Sequence, residues 1–197
     1  MKRKCSWVPI LTILCCNGCF SSSVKEEFYY QIVTPSATTK IGKGPRISVA
    51  DFTAAPGYDS SRVAYRTTNN ELRYYGYRQW VSDPAPMLAD AVTRHFRASG
   101  LFSEVERGDR VHSPDLIIEG NLDALEEVDL NDKWQARLAI TLRVRNARSE
   151  KIVLEHIFDR TEPCAQTHLN EVAEKASQIL AKEMKKLTQR LAKTVVR

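Results

Sequence analysis

From Trp134 to Val144 every even-numbered residue is apolar: Trp134, Ala136, Leu138, Ile140, Leu142 and Val144. The odd positions hold Gln135, Arg137, Ala139, Thr141 and Arg143. Successive side chains of a strand point to opposite faces, so this segment has one dry face and one wet face. Such one-sided strands belong to antiparallel sheets. The dry face needs a cover, and two segments have the spacing to provide it. Met87, Leu88, Ala91, Val92, His95 and Phe96 recur at three to four residues, behind Asp83-Pro84 and ahead of Gly100. Asp83 suits an N-cap, Pro84 a first helical turn and Gly100 a C-terminal stop. Leu169, Val172, Ala176, Ile179, Leu180, Met184, Leu187 and Leu191 make a second stripe, in a helix that Thr167 can cap and that runs to about Thr194. The expected fold is α+β: a two-layer sandwich, a mostly antiparallel sheet with two amphipathic helices on one face.

Further strands are predicted at Phe28–Val33, Arg46–Phe52, Glu104–Glu106, Leu116–Ala124 and Lys151–Asp159. Arg62–Thr67 and Glu71–Tyr77 flank Asn69-Asn70, residues that tolerate positive φ, so a hairpin is expected there. A chain of 197 residues fits one domain.

The first residues follow another logic. Lys2, Arg3 and Lys4 precede an apolar run from Trp7 to Cys16, then Asn17-Gly18-Cys19 and Ser21-Ser22-Ser23. About 20 apolar residues are needed to cross a bilayer, and this run is too short. A positive start, a short apolar run and small residues before a cut form a secretory pattern. The cysteine makes it resemble a bacterial lipoprotein signal, cut before Cys19, whose thiol then carries lipid. Residues 1–18 are then the signal peptide, 19–27 a lipidated tether and 28–197 the single domain. The pattern departs from the usual one at Cys16 and Asn17, and a plain secretory signal or an apolar cytosolic strand are the alternatives. Losing Lys2, Arg3 and Lys4 takes the formal charge from +5 to +2, which removes most of the hint of a nucleic-acid partner. Of five cysteines only Cys164 lies beyond the anchor, so no intramolecular disulfide is expected.

Candidate chemistry is sparse. His95 reads as a partly buried core residue and His112 as a loop residue. His156 lies in a strand with Glu155 on its opposite face. Cys164 and His168 have a spacing of four, but no second pair completes a metal site. No nucleophile-elbow, zincin or phosphate-loop motif is present, so neither catalysis nor a cofactor is expected. Arg137, Arg143 and Arg145 form a stripe on a wet face, best read as cross-strand ion pairs with residues such as Glu155. The end of the chain from Lys182 carries six positive residues and one acidic one. Stabilisation of a helix C-terminus and contact with anionic headgroups are its two readings. Tyr65, Tyr74, Tyr75, Tyr77 and Trp80 cluster in and after the hairpin, with aromatics on both faces. One face packs inward; the other is a candidate partner-binding surface. For any single ring, packing in the core or at an edge is the commoner role. On the docking reading, Tyr75→Ala or Trp80→Ala weakens partner capture more than folding.

FYYQI, RISVADF and VAYRTTNNELRYYGYRQWVSDPAPMLADAV, behind a lipid-bearing cysteine, resemble the ABC-type transport auxiliary lipoproteins. The resemblance rests on Tyr29-Tyr30, Val63-Ala64-Tyr65-Arg66 and the step from Trp80 through Pro84 to Leu88. The spacing after Trp80 departs from the family, with Val81 and Pro86 added. The resemblance implies a fold similar to the TolB N-terminal domain. It implies a non-enzymatic part in moving lipids or hydrophobic solutes between inner and outer membranes. The implied partners are a mammalian-cell-entry (MCE) type subunit and an ABC permease/ATPase complex, with the membrane held through acyl chains and self-association left open. Phe20, not Asp, follows Cys19, which points to the outer membrane, facing the periplasm. The rivals are a lipoprotein of envelope assembly or surface-polymer export with the same fold, and a periplasmic enzyme.

Overall fold

The computed structural model describes residues 25–34, 41–130 and 133–195. Cys19 and the expected signal peptide lie outside the described residues. The elements in chain order are β1 (Phe28–Tyr30), β2 (Gly44–Val49), β3 (Thr53–Ala54), β4 (Arg62–Thr68), β5 (Glu71–Trp80), α1 (Pro84–Ser99), β6 (Phe102–Arg107), β7 (Leu116–Leu130), β8 (Lys133–Asn146), β9 (Ile152–Pro163) and α2 (Leu169–Val195).

β7 is the spine of the sheet. Its 15 residues span roughly 50 Å. One edge pairs along its whole length with β8, antiparallel, and β9 follows β8 in the same sense. The other edge is shared by three shorter strands, all parallel to it: β2 at Leu116–Ile118, β3 at Asn121–Leu122 and β4 at Glu126–Val128. β6 extends the β2 end, also in parallel. The β4–β5 hairpin extends the other end, and β1 adds to β5 in parallel. The α+β class and the two helices are as expected. The long ladders are antiparallel, but the sheet is mixed, and β6 joins β2 rather than an antiparallel block.

The dry face of β8 is buried: Ala136, Leu138, Ile140, Leu142 and Val144 are all out of solvent. α1 and α2 pack against the sheet and against each other, and one continuous core results. In α1, Met87, Leu88, Ala91, Val92 and Phe96 are buried, and Gly100 ends the helix with φ 62°, its N–H donating to the Arg97 carbonyl. Gly120 is required by a close approach, because a Cβ there would sit 2.5 Å from the ring of Phe52. The buried hydrophobic residues run from Ile32 to Leu191.

β7 also extends beyond its predicted end at Ala124, through Glu126 and Glu127 to Leu130. The cause is a bulge. Leu122 faces Ile140, but Ala124 faces Ala139, so Asp123 is an extra residue in the ladder. A bulge inverts the facing of everything after it. Before it the even residues Leu116, Ile118 and Leu122 face the core; after it Leu125 and Glu127 do.

Candidate docking surface

The wet face of β7–β9 is self-contained. Arg143 pairs with Glu155 at 2.7 Å. Arg145 pairs with Glu119 at 2.8 Å and also with Glu150. Arg137 joins Asp159 at 2.7 Å and Glu126 at 2.9 Å. Glu126 is fully buried and also accepts from the Tyr58 hydroxyl at 2.7 Å and from Arg66 at 2.8 Å. Burial, then the bond to Glu126, pushes the Tyr58 hydroxyl up to about 12. The arginine stripe is therefore spent on cross-strand ion pairs.

The β1–β5–β4 end differs. β1 is three residues long and lies at a sheet edge. Phe28, Tyr29, Val33, Tyr77 and Val81 are all exposed there, Tyr29 to 57% and Val33 to 63%. Arg78 lies 4.9 Å above the Phe28 ring and Lys25 lies 4.7 Å above the Tyr77 ring. Beside this edge runs an open groove of about 1000 Å³, walled by Phe28, Tyr29 and Val33 on one side and by His168, Leu169 and Ala173 of the α2 start on the other. The loop into α2 is braced by Glu171, whose carboxylate accepts from the backbone N–H of Ala165 and of Gln166, each at 2.7 Å.

The five aromatic residues singled out from the sequence separate in the structure. Tyr77 is exposed. Tyr65 and Tyr75 stack at 4.6 Å between centroids, and the Tyr75 hydroxyl donates to Glu127 at 2.8 Å. Tyr74 lies under the Arg62 guanidinium and donates to the Gly57 carbonyl. Trp80 is buried, edge-on to Tyr30 at 6.5 Å. Trp80 is a core residue and Tyr75 is half-buried against Glu127, so both pack into the fold rather than stand on the exposed surface. Phe28, Tyr29, Val33 and Val81 were not singled out as docking residues. An apolar strand next to a hairpin reads as core until its edge position is known.

Glu127 is 1% exposed and has no salt bridge among the described residues. Burial pushes its carboxyl up to about 7, against the bond from Tyr75. Cys164 is half-buried, and burial pushes its thiol up to about 11, so it stays protonated and unreactive at neutral pH. No cluster of metal-ligating side chains occurs among the described residues. No helix among them is long and apolar enough to cross a membrane.

The family model described as ABC-type transport auxiliary lipoprotein component matches residues 30–192. The chain belongs to this family. As such it is an auxiliary lipoprotein of an ABC-type transport system, a membrane-anchored class of envelope protein. The match starts in β1 and ends in the last turns of α2, so it takes in both the sheet and its helical cover. The fold is similar to a protein of Xanthomonas campestris, with TM-score 0.70 and 23% identity over 81% of this chain and 91% of that one. It is also similar to PelC of Paraburkholderia phytofirmans, solved as a dodecamer, with TM-score 0.50 and 13% identity over 78% of this chain and 94% of that one. A search of curated proteins finds no significant match.

Proposed function

We propose that this auxiliary lipoprotein works by docking rather than by catalysis, as the moored partner of an ABC transporter that carries an MCE-type subunit. Its cargo class is lipids or other hydrophobic solutes passing between the inner and outer membranes. The signal peptide is residues 1–18, Cys19 carries the acyl chains and residues 19–27 are the tether, with the domain facing the periplasm from the outer membrane. One acyl chain anchors only marginally, whereas two or more hold a protein stably. The eight residues from Phe20 to Glu27 span at most about 28 Å. The domain then stays close to its bilayer, and a partner in the same envelope is met at high effective concentration.

The observation that carries this reading is the aromatic edge itself. Phe28, Tyr29 and Tyr77 stay exposed beside an open groove, at the point where the tether enters the domain. Rigid aromatic rings with a polar handle suit a docking surface, and a short free strand suits strand addition. Self-association is a second use of the same surface, favoured by the dodecameric state of PelC.

Photocrosslinkers at Tyr29 and at Tyr77, with one at Arg143 as control, test this in intact cells by mass spectrometry. The expected products join positions 29 and 77 to a transporter subunit and leave position 143 unlinked. Crosslinks only to polymer-export or envelope-assembly components would move the protein to that rival role. Equal crosslinking from all three positions would remove the surface.

A further inference from the structure

A carboxylate occupies a core-facing position of α2. Glu183 follows Ile179 and Leu180 and precedes Met184 and Leu187 on the buried stripe, and it is 3% exposed. A buried charge is costly unless it is fully partnered. Three groups come to it. Lys186 donates to Oε1 at 2.7 Å and Arg160 donates to the same oxygen at 3.3 Å. His156, itself buried, lies 2.9 Å from Oε2 through Nε2. On the other side of the imidazole, Nδ1 is 2.9 Å from Arg190. A guanidinium only donates, so Nδ1 is the acceptor and Nε2 carries the proton to Glu183. Burial, reinforced by the charges of Arg190 and Lys186, holds His156 below its ordinary pKa despite Glu183, so the ring stays neutral. Arg190 is fixed a second time by the Glu155 carbonyl at 3.2 Å.

The result is that Arg160, Lys186 and Arg190 are held in place from beneath. Arg160, Lys186, Arg190 and Lys193 line an open groove of about 410 Å³ above the His156–Glu183 pair. One buried carboxylate faces four cations, so the groove is strongly positive. The Nη groups of Arg160 have no acceptor among the described residues, and Lys193 forms no salt bridge among them. Ile157, 63% exposed, stands at the rim as the apolar member. Fixed guanidinium and ammonium groups match phosphate oxygens. An apolar rim beside them matches the start of an acyl chain.

We infer that this groove between β9 and α2 is a binding site for the phosphodiester headgroup of an anionic phospholipid. It gives a membrane-anchored domain a second, reversible contact with lipid. The contact lies toward the end of α2 opposite the aromatic groove: Leu169 and Arg190 are separated by roughly 30 Å along the helix. The site does not depend on the transport reading, because it needs only a phospholipid within reach.

The test uses the detergent-solubilised full chain, titrated with dihexanoyl phosphatidylglycerol and, separately, dihexanoyl phosphatidylcholine. The anionic lipid is expected to bind at least about tenfold more tightly. Arg190→Gln with Lys193→Gln should weaken it by roughly 20-fold, while Lys182→Gln with Lys185→Gln, which removes equal charge from the same helix outside the groove, should change it less than about twofold. Lys193→Glu, at an exposed residue without a salt bridge, guards against a folding defect and should still weaken binding by about fivefold or more. Equal affinity for the two lipids, or equal loss in the two double variants, overturns the site. So does full displacement by inorganic phosphate at the lipid's own concentration, which would mark a site for free phosphate.

Discussion

Two neighbouring buried carboxyls of β7 point to opposite faces of the sheet and have opposite fates. Glu126 lies on the outer face with β8 and β9, where Arg66, Arg137 and Tyr58 surround it. Glu127, one residue on, faces the core beneath the β1–β5–β4 end, where a single hydroxyl meets it. The first environment belongs to the long β7–β8–β9 ladder, where Arg137, Arg143 and Arg145 are all paired. The second belongs to short, irregular strands, a free edge and exposed aromatic rings. β5 itself bends: Ala64 faces Tyr74 but Arg62 faces Gln79. The difference separates a face whose charges are paired within the sheet from an edge whose rings meet solvent. On its outer face the long ladder spends its arginine stripe on internal ion pairs. The edge leaves rings and strand backbone available, while Glu127 stays buried beneath it.

The contrast breaks most visibly at Trp80, which lies in the aromatic region yet belongs to the core. Trp80→Ala should cost about 3–5 kcal/mol in a denaturant melt. A loss under about 1 kcal/mol would return Trp80 to the docking surface. Next comes Arg137→Ala, which leaves Glu126 to Arg66 and Tyr58 alone. A loss of about 2–3 kcal/mol is expected, below the full cost of stranding a buried charge because two partners remain.

Glu127 sharpens the comparison through pH. Its folded-state carboxyl is raised to about 7, above its unfolded value. The folded state therefore takes up its proton first, and this contribution is complete below the unfolded pKa and lost as pH rises through the folded one. Acidifying from pH 8 to pH 5.5 should raise Tm in the wild type relative to Glu127→Gln, and the variant should be the more stable of the two at pH 8. Parallel Tm profiles would show that Glu127 ionises normally. The smallest effect on folding is expected at Tyr77→Ser, within about 0.5 kcal/mol, while transporter capture in a pull-down falls. Arg143→Ala, an exposed ion pair, should cost less than about 1 kcal/mol and leave capture intact. Capture lost equally in both variants would erase the distinction between the two regions.

Much of this was legible beforehand. The alternation through β8 named its buried face residue by residue, and Asp83, Pro84 and Gly100 marked α1 within a residue. The Asn69-Asn70 turn and the pairing of the arginine stripe were readable for the same reason: spacing along the chain sets them. What was not readable depends on contacts far apart in sequence. The predicted strand ended at Ala124, six residues early, because nothing local announces that Asp123 is an extra residue. Phe28–Tyr30 was legible as a strand but not as an exposed edge, because its pleat is the same whether or not a neighbour covers its edge.

The amino-acid sequence by itself determined the periodicities, and with them the α+β layers, the two helical stripes and the membership of a lipoprotein family. Only the tertiary structure decided which aromatic rings meet solvent, that β7 takes three parallel partners on one edge, and that His156 and Arg190 meet Glu183. Periodicity is a property of neighbouring residues, set by backbone geometry. Pairing partners, bulges and edges are settled by which distant segments compete for the same hydrogen bonds and the same buried area.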